Sequence, residues 1–141
     1  MQEQWIKWEP SNNLSKNYSL DSISDSAEGL KILLLDAENR NKKVLVSFPH
    51  SVHAYRSTDE SLILSTISFL HKKYSAEFYR DWSFFKIEKS KYLQWISTQS
   101  CGISDGYNCI HFCILASDYM IDIISTYEPT VVSIDELSHK K

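Results

Sequence analysis

Residues 108–134, NCIHFCILASDYMIDIISTYEPTVVSI, decide how the rest of this chain must be read. They read as three consecutive strands, Cys109–Ala116, Tyr119–Ser125 and Thr130–Ile134. The tight Ser117-Asp118 turn joins the first two, and Thr126-Tyr127-Glu128-Pro129 joins the last two. Successive side chains on a strand point to opposite faces, so a half-exposed strand alternates apolar with polar. Both faces of the first two strands are instead largely apolar, which places them in the middle of a covered sheet. Most residues that could be mistaken for chemistry, Cys109, His111, Cys113 and Asp122, lie inside this stretch. In those surroundings they read as structural.

Working back toward the N-terminus, Gly102 and Asp105-Gly106 break the chain before these strands. Ser90 caps a short helix running to about Thr98 that buries Tyr92, Trp95 and Ile96. Ser83–Ile87 is a short aromatic strand. The main helix has the best start signal, a capping box Ser57-Thr58-Asp59-Glu60. Ile63, Ile67, Leu70 and Tyr74 then form one apolar stripe, and His71, Lys72 and Lys73 place positive charge in the last turn.

Lys43–Ala54 alternates as a strand, with Pro49 marking a bend or an edge. The polar loop Glu38-Asn39-Arg40-Asn41 links it to the strand Leu30–Asp36, and Asp25–Gly29 turns that strand back to Tyr18–Ser24. Residues 1–14, with Trp5, Ile6 and Trp8, read as an N-terminal segment docked on the body, and Asp135–Lys141 as a frayed polar tail. The order βββ-α-β-α-βββ predicts a single α+β domain over 1–141. Its sheet is mostly antiparallel, of about six or seven strands, with one main and one short helix.

At 141 residues the chain is long enough to bury a core without staples, since such a domain hides roughly 68% of its unfolded surface. Aromatic residues make up 13%, while only three Gly and three Pro occur, which argues against Gly-rich phosphate loops and linkers. A net charge of −3 is a poor match for nucleic acid, which calls for a basic stripe. Three Cys and no signal-peptide pattern imply reduced thiols and a cytoplasmic protein. No apolar run approaches the ~18 residues of a membrane span.

The motif survey favours structure over catalysis. Cys109, His111 and Cys113 share one strand face, but residues two apart are about 6.6 Å apart along the strand and do not converge on one zinc. Cys101 precedes Gly102 near a helix end and lacks a protease signature around it. His50 and His53, beside Pro49, fall on opposite faces of an extended segment. Asp122 needs a rim position or a partner, for which Arg56 and Arg80 are the candidates. No dinucleotide fingerprint, P-loop, zincin helix or nucleophile elbow occurs, so no metal, cofactor or catalytic residue is expected. The cluster from Phe78 to Phe85 is dense in Tyr, Trp and Arg, the anchors of protein interfaces.

Several segments resemble small cytoplasmic proteins of Bacillus-type Firmicutes that sit beside secreted polymorphic toxins as immunity proteins. The residues carrying this are Trp82-Ser83-Phe84-Phe85-Lys86, then Ser90, Leu93 and Trp95, and His111-Phe112. Asp122-Ile123-Ile124 and Tyr127-Glu128-Pro129-Thr130-Val131 complete it, so about half the chain is covered. The resemblance implies a binding module with no catalytic positions, one that neutralises a toxin by covering its active site. The expected contacts are Tyr79, Arg80 and Trp82, with Asp59 and Glu60 supplying orientation. A second reading is a small-molecule-binding or enzymatic domain with a pocket near His111, Asp122 and Glu128. A third is a homo-oligomer built through an exposed edge strand.

Overall fold

The computed structural model describes residues 2–135, so most of the expected tail Asp135–Lys141 lies outside the described residues. Among the described residues the fold is α+β and antiparallel, with nine strands in two sheets rather than one sheet of six or seven. The strands are β1 (Gln4–Lys7), β2 (Tyr18–Ser26), β3 (Gly29–Asp36), β4 (Lys42–Phe48), β5 (Ala54–Asp59), β6 (Phe84–Glu88), β7 (Ile110–Leu115), β8 (Tyr119–Ser125) and β9 (Thr130–Asp135). The helices are α1 (Leu64–Lys73), α2 (Ala76–Arg80) and α3 (Lys91–Gln99). One sheet runs β1-β6-β7-β8-β5 and the other β2-β3-β4-β9.

The larger sheet is the middle of three layers. Phe84, Phe112, Ile114, Ile121 and Ile123 leave one face and pack on Leu30, Ile32, Leu34, Val44, Val46 and Phe48 of the smaller sheet. Phe85, Ile87, Cys113, Leu115 and Met120 leave the other face and meet Ile63 and Leu70 of the helical layer, with Trp5. That arrangement explains why β7 and β8 are apolar on both faces.

Two further expectations are corrected. The strand expected over Lys43–Ala54 divides at Pro49, with β4 staying in the small sheet and β5 crossing to the large one. The last strand does not pair with its predecessor: β7 and β5 already flank β8, so β9 runs along β4 instead. The capping box at Ser57 does not form, because Ser57, Thr58 and Asp59 pair with Ile121, Met120 and Tyr119 of β8. Asp59 caps a 3-10 turn over Glu60–Leu62, and α1 begins at Leu64. Its apolar stripe and its basic last turn stand as expected.

The N-terminal segment is built in rather than merely docked. β1 pairs with β6, setting Trp5 opposite Ile87. Trp5 enters the helix-side core and Trp8 the inter-sheet core. The backbone N–H of Trp5 donates to the Tyr74 hydroxyl, and the Trp82 indole donates to the Trp8 carbonyl at 3.0 Å. At the β2–β3 hairpin, Gly29 has φ +104°, and a Cβ there would lie 1.9 Å from the Phe48 carbonyl oxygen. Only glycine permits that approach.

Candidate functional site

Two places bear on the expected site residues. The first is a buried array on the helix-side face of the large sheet. Antiparallel pairing sets Asp122 of β8 between Arg56 of β5 and Cys113 of β7, and places His111 one step along β7. The His111 Nε2 lies 2.6 Å from Asp122 Oδ1, and Arg56 Nε donates to Asp122 Oδ2 at 2.9 Å. On the far side of the ring, Nδ1 lies 2.6 Å from the Ser90 hydroxyl. That oxygen also accepts from the Leu93 N–H, because Ser90 is the N-cap of α3. Tyr92, in the first turn of the helix, packs edge-on against His111 and under the Arg56 guanidinium, 4.1 Å away.

Burial alone would raise the Asp122 carboxyl. The hydrogen bond and charge of His111, then those of Arg56, outweigh it and hold the group below its ordinary value. Burial first, and then the Asp122 charge, push the Cys113 thiol well above its ordinary value, so Cys113 is an inert core residue. Ser90, His111 and Asp122 are each at most 2% exposed. A serine, a histidine and an aspartate in line have the composition of a hydrolytic triad, but here the serine oxygen is committed to a helix cap. It is also closed off from substrate, so the array is built to hold β5, β7, β8 and α3 together.

Glu128 does not join it. Its carboxylate pairs with Lys86 at 3.2 Å, and Lys86 lies over Trp8 and Phe112, on the sheet face opposite His111 and Asp122. His50 and His53 separate too, His50 against Tyr127 and His53 stacked on Tyr107. Cys101 is exposed at the left-handed position of a helix stop, where Gly102 N–H reaches the Ser97 carbonyl and Cys101 N–H the Thr98 carbonyl. Among the described residues no group of three or more His, Cys, Asp or Glu side chains could hold a metal ion. No helix among them is long and apolar enough to cross a membrane.

The second place is a surface groove of about 250 Å³ between the 3-10 turn, α1, α2 and the β7–β8 turn. Glu60, Tyr79 and Arg80 line it, over a floor that includes Ile63, Ile67 and Leu115. Beside it Leu62 and Leu64 are 76% and 71% exposed. The sequence therefore named three of the lining residues without knowing that they share a groove. Asp59 stands one residue away and is held below its ordinary value by the Ser61 backbone N–H and hydroxyl. Trp82 is half-buried and tied to Trp8, so it braces the interior.

Trp95, expected in the core, is 56% exposed and stacks along Tyr92. The double duty of Ser90 as cap and histidine partner went unread. A serine before a helix signals the cap, but only the pairing of β6 with β7 brings His111 to it. Compared with protein-family models, with curated proteins and with solved structures, the chain matches none.

Proposed function

We propose that this chain is a protein-binding module, and that its partner is a co-encoded toxin neutralised by steric coverage of the toxin's active site. The observation that supports this best is the groove of Glu60, Tyr79 and Arg80 beside the exposed Leu62 and Leu64. Each leucine contributes about 1.5–3 kcal/mol when taken fully out of water. A tyrosine and an arginine beside them give the mixed character of an interface centre. Glu60 and Arg80, of opposite sign on one groove, fix orientation more than they add affinity. The sealed condition of Ser90, His111 and Asp122 points the same way, since the groups with chemistry are turned inward. The resemblance to immunity proteins supplies the class of partner.

The test is co-expression with the product of the neighbouring open reading frame. A complex that survives size exclusion and rescues growth is expected, and Leu62→Asp with Arg80→Glu should abolish both while the chain stays folded. If no complex forms and growth is not rescued, the reading fails. If the double variant binds as well as the parent chain, the interface lies elsewhere.

A further inference from the structure

On the other flank of α1 from that groove lies a small polar cavity of about 150 Å³. Arg56, Lys91, Ser65 and Thr66 line it, with Glu3 at one side and His111 among its lining residues. Arg56 is held there from two directions. Its Nε is bonded to the buried Asp122, and the plane of its guanidinium rests on Tyr92. Among the described residues neither of its terminal Nη nitrogens donates a hydrogen bond, so the fork remains available. A guanidinium fixed in this way is preorganised for two-point contact with an oxyanion.

The surroundings supply what such an ion needs. Lys91 brings a second positive charge, and Ser65 and Thr66 bring two hydroxyl donors from the first turn of α1. The N-cap of α1, Ile63, has no side-chain hydrogen bond, so the leading N–H groups of this ten-residue helix lack a capping side chain. One carboxylate is already present: Glu3 accepts the Lys91 backbone N–H at 2.9 Å. A cavity of about 150 Å³ is several times what a single water needs, so an ion the size of phosphate fits.

We propose that this cavity is a binding site for a phosphate group, gripped by the Arg56 fork and Lys91 and donated to by Ser65 and Thr66, with Glu3 as its internal competitor. The buried array of Ser90, His111 and Asp122 then has a second consequence, because it aims Arg56 as a positioning device. The site and the toxin-binding groove use different residues, so either can fail alone.

Titration calorimetry on the full chain at fixed ionic strength tests it, with inorganic phosphate and glycerol 3-phosphate as probes. Saturable one-to-one binding of either is expected. Inorganic phosphate alone would identify the free ion as ligand, and tighter binding of the ester would identify a phosphate carried on a small molecule. Arg56→Lys keeps a cation near Asp122 but removes the fork, and Lys91→Gln removes the second charge. Each should weaken binding about tenfold or more, whereas Glu3→Gln should tighten it. Should Arg56→Lys unfold, the opposed shifts of the other two variants decide. Absence of saturable binding by both probes, or binding indifferent to Lys91→Gln and Glu3→Gln, would overturn the assignment.

Discussion

Asp122 is buried and yet held in its carboxylate form because His111 and Arg56 both meet its oxygens. Removing one member of such a set leaves the others desolvated and unmatched, which costs more than the lost contact. Asp122→Ala should destabilise the chain by about 3 kcal/mol, near the low end for a buried pair, because half of Arg56 remains in water. Chemical denaturation reads this directly. The same group sets a pH dependence. Its folded carboxyl lies below the ordinary 3.8, so its contribution is complete above that value and is lost as pH falls below it toward the folded value. The stability gap between the parent chain and Asp122→Asn should therefore be constant near neutrality and narrow below that value. A gap that widens on acidification would contradict the ionised state. Arg56 could be named from the sequence as a candidate partner, since few cations occur near apolar strands. His111 as the second partner could not, because the two strands had first to be placed in register.

At the scale of the element, α3 shows both ends of a helix being specified by single residues. Ser90 accepts the Leu93 N–H and meets His111, so Ser90→Ala loses a cap and leaves a buried ring nitrogen unmatched. About 2–3 kcal/mol of destabilisation is expected, against about 1 for Ser75→Ala at the start of α2, where the cap stands alone. At the other end Cys101 has φ +54° in the position that favours glycine. Cys101→Gly should raise stability by about 1 kcal/mol, visible as a higher Tm. These termini were legible because capping chemistry is local. The start of α1 was not. Ser57 and Glu60 satisfy the pattern of a capping box, but three residues of cross-strand pairing to β8 outcompete one turn of helix. Trp95 was misplaced for a related reason. Helical periodicity gives the angle between side chains, not which side the sheet lies on, and the sheet takes Tyr92.

For the molecule as a whole, the N-terminal segment closes both cores at once. Trp5 and Trp8 are 3% and 8% exposed and enter opposite faces of the large sheet, while β1 covers the edge of β6. Losing a buried tryptophan costs about 3–5 kcal/mol, so removal of residues 2–8 would spend most of the roughly 5–15 kcal/mol that holds a typical domain. A chain lacking them should show poorly dispersed amide resonances and bind hydrophobic dyes, whereas Trp95→Ala should cost only about 1 kcal/mol, the worth of its stack on Tyr92. Equal effects from these two changes would refute the layered assignment.

By itself the sequence determined the class of fold, the position of most strands, the apolar stripe of α1 and the interior character of His111, Cys113 and Asp122. These follow from alternation, capping and composition, which act over a few neighbouring residues. Only the tertiary structure decided that there are two sheets, that β9 turns to β4, and that Arg56, Ser90 and His111 gather around one carboxylate. Those outcomes depend on which strand edges are already occupied and on cross-strand register. Both are properties of residues far apart in the chain and invisible in any local window.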